Sequence, residues 1–380
     1  MLVLNGISYI LMTCKEGRMS HRLIVMFLCL VFFTSAGLSQ SSFYDYLEEK
    51  VTFPSNEVTL AGTLTLPVSG QPAPVIVLIT GGGNRNRDAQ IGRFKPFKLI
   101  AAYLSQRGFA VLRFDDRGVG ESTGINSLES NLDDFKDDAL SAIAYLKSRD
   151  DIMHSRIGLL GHCAGAYACL KASFESKDVA FLTTMAGYGL DGVETLLDGK
   201  RRELMKAGEK QDHIQQTLGL HKQLFKAMMT HGDFVEVESK MRIERKRIFE
   251  TLSDSRKSRY EDFDDYFRRS SDGWILEYAK TNYFLEVLKA KPIPYYEKLN
   301  IPALLMFGEN DLDVHPDAHI QPIITALAKA GNKNYEIKII PEADHYFVAD
   351  WSSREFAPKF LPTLYDWLSE NIQQSARIQK

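Results

Sequence analysis

Hydrophobic residues recur along this chain with two different spacings. Short apolar runs typical of β-strands occur at 50–53, 57–67, 74–79, 110–114, 156–161, 179–185, 301–308 and 335–340. Between several of these runs, apolar residues recur every three or four positions, which predicts helices over 96–107, 131–149, 164–173, 316–330 and 356–373. The alternation predicts an α/β fold with right-handed crossovers. Its central sheet should be mostly parallel and flanked by helices, with the first strands forming an antiparallel edge.

One long stretch, residues 190–294, departs from this alternation with charged segments that favour helices. Its basic run at 240–247 is interleaved with acidic residues, and more acidic residues follow at 261–265, which is typical of a solvated helix face rather than a nucleic-acid patch. A helical insertion between two strands covers the carboxyl edge of the sheet, where such folds bind ligands. We therefore expect a core of residues 40–189 and 295–380, with residues 190–294 as a helical lid.

The composition and the net charge indicate which class of molecule this protein binds. The chain has 380 residues, of which 44% are hydrophobic, so it can bury a substantial core. The formal net charge of −3 is small and mixed in sign, which argues against a nucleic-acid binder or a strongly cationic membrane binder. A small molecule is therefore the expected partner. The sequence does not indicate an oligomeric state.

Residues 1–39 have the pattern of an export signal behind an upstream extension. Starting at Met19, a short basic region precedes the apolar run 23–33 and the small residues 34–37. That run is too short to span a bilayer comfortably. We expect cleavage between about Gly37 and Ser39, export to the periplasm or the extracellular space, and no stable membrane insertion afterwards. An uncleaved N-terminal anchor is the alternative.

Cysteine usage points to a reactive thiol. After the expected cleavage only Cys163 and Cys169 remain. On one helix their Cα atoms would be roughly 9 Å apart, beyond the usual disulfide span of about 7 Å. Free thiols are unusual in an exported protein, and a reactive role for one of them would explain their presence.

The strongest chemical signal is the segment 161–165, Gly-His-Cys-Ala-Gly, directly after an apolar strand. A nucleophile on a tight strand-to-helix turn needs small residues on both sides, and Gly161 and Gly165 meet that need. The N-terminus of the following helix favours the thiolate form of Cys163. The segment therefore predicts a nucleophile elbow, with a buried structural cysteine as the alternative.

An acid and a base follow in the order that such an elbow requires. Asp311 comes after the apolar strand 303–307, and His345 comes after the strand pattern 335–340, so both lie in loops at carboxyl ends of strands. Asp311 is preferred over Asp313 because it is nearer to the strand end. Two other histidines fit the base position less well, since His162 is expected to pack along the strand side and His315 lies beyond the acid.

Backbone N–H groups are expected to stabilise the oxyanion. Ala164, directly after the nucleophile, supplies one donor, and the glycine loop 80–83 supplies the other. Such a loop can also cradle phosphate. However, the second glycine loop, at 118–123, lacks the third glycine of a dinucleotide fingerprint, and no Walker sequence is present, so nucleotide binding is the weaker interpretation.

At these positions the chain resembles bacterial α/β-hydrolases of the secreted esterase D type, close to the serine aminopeptidase-like hydrolases. The segments that carry the resemblance are 84–88, 95–97, 113–122 and 308–314, and it runs from about Val51 to the C-terminus. The resemblance implies the α/β-hydrolase fold, carboxylic ester hydrolysis, no metal or organic cofactor, and an oxyanion hole near Gly82 and Ala164.

Position 163 departs from that family, whose members usually carry serine there, followed by an acidic residue and glycines. Cysteine at this position is similar to dienelactone hydrolases and to bile-acid-CoA amino acid acyltransferases. We expect hydrolysis of a carboxylic ester or thioester through Cys163, His345 and Asp311 and an acyl-enzyme intermediate. The alternatives are an acyltransferase that moves an acyl group from a thioester to an amine, and a non-catalytic binding protein. The presence of both acid and histidine argues against the binding protein.

Overall fold

The computed structural model describes residues 46–81 and 83–373. The expected export signal, within residues 1–39, lies outside the described residues, and so does Gly82. Within the described ranges, none of the helices combines the length and the apolar character needed to cross a bilayer.

The central sheet contains the eight strands that the apolar runs predict. They are β1 (Tyr46–Ser55), β2 (Val58–Pro67), β3 (Ala73–Ile79), β4 (Ala110–Phe114), β5 (Ile152–His162), β6 (Phe181–Met185), β7 (Ala303–Gly308) and β8 (Tyr335–Ile340). Their spatial order is β1-β2-β4-β3-β5-β6-β7-β8. The pairs β1–β2 and β2–β4 are antiparallel, and all later neighbours are parallel. The predicted mostly parallel sheet with an antiparallel edge is thus confirmed.

The burial of these strands explains why they could be predicted from the sequence. Every residue of β3 and β7 is buried, because helices cover both faces of the parallel part of the sheet. At the edge, β1 alternates instead, with Val51, Phe53 and Ser55 buried between exposed neighbours. The carboxyl ends of β3, β5, β6, β7 and β8 therefore meet along one edge of the sheet.

Thirteen α-helices lie in the described part of the chain. They are α1 (Pro96–Ser105), α2 (Leu132–Lys147), α3 (Ala164–Glu175), α4 (Gly192–Lys206), α5 (Gln211–Met229), α6 (Val235–Thr251), α7 (Asp254–Lys257), α8 (Phe263–Arg268), α9 (Ser271–Tyr278), α10 (Asn282–Lys289), α11 (Ile293–Tyr296), α12 (Pro316–Ala330) and α13 (Phe360–Leu368). Helix α2 begins with a capping box, in which Asn131 and Asp134 bond each other's backbone amides.

Helices α4–α11 come between β6 and β7, and residues 192–296 are called the helical insertion here. It has a hydrophobic cluster of its own, separate from the main core, with Leu224, Phe225 and Phe284 almost fully buried. Helix α10 also joins the main core through Tyr283 and Val287. The insertion therefore packs internally and also against the sheet domain.

The C-terminal helix begins later than the sequence predicts. Its expected start, Phe356, belongs instead to a short strand β10 (Glu355–Phe356) that pairs with β9 (Val348–Asp350) in an antiparallel ribbon. The Phe356 ring packs on Phe360, at 4.7 Å between centroids. The prediction of a helix over 356–373 was wrong at this end, because an aromatic cluster and a helix face give the same apolar spacing.

Candidate active site

Cys163 lies at the turn between β5 and α3. Its backbone angles, φ 55° and ψ −121°, fall in a region that L-residues rarely adopt. The turn is tight on both sides. A Cβ atom on Gly161 would lie 2.4 Å from the carbonyl oxygen of Gly165, and one on Gly165 would lie 2.3 Å from that of Thr80. Both glycines are therefore required by the close approach of the backbone around Cys163.

Asp311 and His345 form a hydrogen-bonded pair beside this turn. His345 Nδ1 is 2.9 Å from Asp311 Oδ2. The other carboxylate oxygen, Oδ1, accepts hydrogen bonds from the backbone amides of Asp313 (2.8 Å) and Val314 (2.9 Å). Asp311 is completely buried, so these bonds hold the carboxylate in one orientation.

The electrostatics of the pair favour a charged imidazole. Burial raises the pKa of Asp311, but the charge of His345 and the hydrogen bonds outweigh burial, and the net pKa lies below the ordinary value. Burial likewise lowers the pKa of His345, but the charges of Asp311 and Cys163 outweigh it and raise that pKa well above its ordinary value. An imidazolium that forms here is stabilised.

The two candidate acids have different partners. Asp311 bonds His345, whereas Asp313 contacts Asp311 through its backbone amide. The Asp313 side chain is exposed, whereas that of Asp311 is completely buried. The geometry therefore favours Asp311 over Asp313. Ligand atoms of Asp311, Asp313 and His345 lie within 4.8 Å of one another, but a cation would have to displace the hydrogen bonds that engage both oxygens of Asp311.

His162 packs against the loop that carries His345. Its Nε2 lies 2.9 Å from the carbonyl oxygen of His345, and the centroids of the two rings are 4.8 Å apart. Burial and the charge of His345 lower the pKa of His162 to about 3. His162 is therefore neutral at physiological pH, and it donates to and holds the backbone of His345.

Two tyrosines make hydrogen bonds at the site that sequence reasoning did not foresee. Tyr188, three residues after β6, places its hydroxyl 3.3 Å from Cys163 Sγ. Tyr283, in α10, donates a hydrogen bond from its hydroxyl to the Gly81 carbonyl (2.6 Å). Burial raises the pKa of both phenols well above the ordinary value, so both remain protonated. Tyr188 follows a strand at the functional edge, and that position was a usable signal.

The expected oxyanion donors lie in two places. Ala164, the first residue of α3, is buried directly after Cys163. Gly82 is outside the described residues, but its neighbour Gly81 contacts the elbow, where a Cβ atom would lie 1.9 Å from the His162 carbonyl oxygen. The loop after β3 therefore runs against the backbone of the turn that carries Cys163.

Asp116 anchors this loop on both sides of the glycines. Its Oδ1 accepts a hydrogen bond from the Thr80 hydroxyl (2.6 Å), and its Oδ2 accepts one from the Arg85 backbone amide (2.8 Å). Burial is the main cause that raises the pKa of Asp116 to about 7.

A cavity of about 490 Å³ opens above Cys163 and His345. Its walls come from the sheet domain and from the helical insertion. Apolar side chains that the insertion contributes are Leu196, Trp274, Ile275, Tyr278, Phe284 and Val287. This volume and character suit a small organic substrate.

Buried charges support the insertion side of the cavity. Lys200 Nζ lies 2.6 Å from Asp272 Oδ1 and donates to Ser271 Oγ (2.7 Å). Arg245 Nε donates to the other Asp272 oxygen (2.8 Å). Burial raises the pKa of Asp272, but the Lys200 charge and the other partners outweigh it, and the net pKa is well below its ordinary value. Lys200 and Ser271 line the cavity, whereas Asp272 neutralises charge behind them.

Comparisons with known proteins agree with this architecture. Residues 71–192 match the family model described as serine aminopeptidase, S33, and residues 213–375 match the prolyl oligopeptidase family. The chain has the fold of the α/β-hydrolases. Esterase EstD of Thermotoga maritima is 27% identical over 322 residues, which cover 84% of this chain and 66% of that protein. The chain therefore spans slightly less than two thirds of that relative's length.

Solved structures show the same fold. The Pyrococcus furiosus esterase PF2001 aligns with a TM-score of 0.52 at 15% identity, covering 86% of this chain and 91% of that chain. The hypothetical protein PA2218 from Pseudomonas aeruginosa aligns with a TM-score of 0.52 at 20% identity, covering 87% and 95% of the two chains.

Proposed function

We propose that this protein hydrolyses a carboxylic ester or thioester, with Cys163 as nucleophile, His345 as general base and Asp311 as the acid that orients the histidine. The observation that carries the proposal is the hydrogen bond between His345 and the buried Asp311, next to the strained turn of Cys163. The similarity to Esterase EstD supports hydrolysis of an ester.

The first half of the reaction forms a thioester. His345 Nε2 accepts the Cys163 thiol proton, and Sγ adds to the acyl carbonyl. The oxyanion accepts hydrogen bonds from the Ala164 amide and from the loop after β3, where Gly82 is the expected donor. The tetrahedral intermediate collapses, the bond to the leaving group breaks, and the imidazolium returns its proton to that group.

The second half releases the acid. A water molecule loses a proton to His345 Nε2 and its oxygen adds to the thioester carbonyl. Collapse expels Sγ, which takes the proton back from the imidazolium. Asp311 holds the Nδ1–H tautomer and stabilises the imidazolium in both halves, in keeping with the direction in which it moves the pKa of His345.

The helical insertion acts as a lid in this proposal. It supplies aromatic and aliphatic walls to the cavity and none of Cys163, His345 and Asp311. Its role is therefore to select acyl size. Export to the periplasm or beyond is also proposed, from the pattern of residues 19–37 alone.

Acyl transfer to an amine is the second candidate, because the cysteine nucleophile would give a thioester that amines as well as water attack. Hydrolysis is favoured, since we identify no motif for an amine acceptor. Product partition separates the two: the protein receives an acyl thioester with millimolar glycine or taurine, and free acid is quantified against amide. Free acid is the expected product. Amide as the dominant, saturable product would make the protein an N-acyltransferase.

The base is tested in the same assay with His345→Ala. We expect turnover to fall at least about a hundredfold, as for removal of a general base. Near-normal turnover in that variant would remove His345 from the mechanism. No turnover of any ester or thioester by the unmodified protein would favour a non-catalytic binding role.

A further inference from the structure

Two arginines in the loop after β3 have opposite environments. Arg87 Nη2 lies 2.6 Å from Asp115 Oδ2 and 2.7 Å from Glu121 Oε2. Arg85 lines the cavity that contains Cys163 and is only partly exposed. Across residues 46–81 and 83–373, no carboxylate forms an ion pair with the Arg85 guanidinium.

The backbone fixes the place from which Arg85 projects. Its amide donates to the buried carboxylate of Asp116, whose other oxygen is engaged by Thr80. The positive charge of Arg85 adds to burial and to the charge of His345 in lowering the pKa of His162, and it opposes burial at the carboxyl of Asp116. The guanidinium thus lies near the reacting end of the cavity.

Lys200, another cationic side chain on the cavity wall, does not take the place of Arg85. Lys200 also lines the cavity, but its Nζ already contacts Asp272, Ser271 and Glu203. A partly buried guanidinium loses part of its hydration, and apolar walls do not replace it. An anion that enters the cavity would supply the guanidinium with a new charged partner. The planar fork of arginine matches the two oxygens of a carboxylate.

We propose that Arg85 binds a free carboxylate of the substrate, so that the preferred substrates are esters or thioesters that carry a second, unesterified carboxyl group. This inference rests on the proposed hydrolysis for its catalytic test, and it adds the substrate class. Arg85 is then a specificity-determining residue, while Cys163, His345 and Asp311 perform the chemistry.

The catalytic test compares three esters of similar size. They are 4-nitrophenyl butyrate, which is neutral, 4-nitrophenyl hemiglutarate, with the carboxylate on the acyl side, and 4-carboxyphenyl butyrate, with the carboxylate on the leaving group. We expect at least about tenfold higher kcat/KM for one of the two anionic esters, mainly through KM, as a charge-assisted hydrogen-bonded pair provides. The better anionic ester identifies the side on which Arg85 binds.

Arg85→Gln should remove that preference, and Arg85→Lys should restore part of it, because lysine keeps the charge without the fork. Arg93→Gln is the matched control, since Arg93 is exposed and does not line the cavity. Equal loss on neutral and anionic esters in Arg85→Gln, or a preference that survives the substitution, would overturn the proposal. So would the absence of any preference in the unmodified protein.

A binding measurement separates this proposal from the proposed function. Calorimetric titration of glutarate into Cys163→Ala requires no turnover. We expect binding that is lost when Arg85→Gln is added and kept when Arg93→Gln is added. If no ester is hydrolysed but this pattern holds, the hydrolase proposal fails and the carboxylate site stands. Undetectable glutarate binding, or tighter binding of inorganic phosphate than of glutarate, contradicts the carboxylate site.

Discussion

The sheet edge and the helical insertion line one cavity, but they do so by different means. At the sheet edge the backbone leaves no room, since a Cβ atom on Gly81, Gly161 or Gly165 would lie within 2.4 Å of a carbonyl oxygen. In the insertion the packing of the main chain is uneven: a Cβ atom on Gly219 would meet no described atom within 4 Å, whereas one on Gly192 would lie 1.7 Å from the Val287 carbonyl oxygen. Closely packed main chain thus surrounds Cys163, whereas the insertion contributes mainly large side chains to the cavity wall.

Buried carboxylates show the same contrast. Near the site, Asp311 accepts hydrogen bonds from two backbone amides besides its pair with His345, and Asp116 accepts one from the Arg85 amide and one from the Thr80 hydroxyl. Asp272, in the insertion, is held by the cationic side chains of Lys200 and Arg245. Amide partners constrain orientation without adding a second charge, while a buried ion pair is costly to break by removing one partner. We therefore expect substitutions at the sheet edge to affect chemistry and those in the insertion to affect stability.

The largest expected effect is at the nucleophile. Cys163→Ala should lower turnover at least about a thousandfold with the fold retained, because the acyl-enzyme no longer forms. Ester hydrolysis and circular dichroism measure this. Cys169→Ala is the control, since Cys169 is fully buried in α3 and should keep its turnover. Alkylation by iodoacetamide should also modify Cys163 before Cys169, and the reverse order would contradict the assignment.

The two candidate acids sharpen the comparison within the sheet edge. Asp311→Asn should reduce kcat at least about a hundredfold, because the amide favours the wrong histidine tautomer and does not stabilise the imidazolium. Asp313→Asn should reduce it less than about tenfold, since that carboxyl does not bond His345. Steady-state kinetics of the two variants test this expectation. A larger loss of kcat in Asp313→Asn than in Asp311→Asn would assign the orientation of His345 to Asp313.

A stability test addresses the insertion. Asp272→Asn should lower the free energy of unfolding by about 3–5 kcal/mol near neutral pH, because it removes the buried carboxylate between Lys200 and Arg245 and leaves them with the more exposed carboxylate of Glu203. The folded-state pKa of Asp272 is depressed, so its contribution is present above the unfolded pKa of about 3.9 and is lost as pH falls through the folded pKa. Urea unfolding should therefore show a difference that shrinks in acid. A difference that grows in acid would contradict this sign.

The smallest effects compare two glycines. Gly165→Ala should cost about 1–3 kcal/mol and impair turnover, because its methyl group overlaps the Thr80 carbonyl. Gly219→Ala, inside helix α5, should stabilise by up to about 1 kcal/mol through helix propensity. Thermal unfolding of both variants gives the comparison. Equal changes of the same sign would show that the two regions do not differ in this way.

Much of the fold was readable from the sequence because fully buried strands appear as apolar runs between helical patterns. The positions of Cys163, Asp311 and His345 followed from their order along the chain and from the strand ends that precede them. The contact of Tyr188 with Cys163 was not foreseen, although the position of Tyr188 shortly after a strand was a usable signal. The Tyr283 contact depends on how α10 packs against the loop after β3, which no local pattern encodes.

The Tyr283 bond to Gly81 also constrains how substrate enters and product leaves. If α10 moved away from the loop after β3, the Gly81 carbonyl would lose its hydrogen-bond donor, at a cost of about 1–3 kcal/mol if the carbonyl stays buried. We therefore expect α10 to keep its position against the loop after β3. We therefore expect substrate to reach Cys163 past the half-exposed Trp274 ring in α9 rather than past α10.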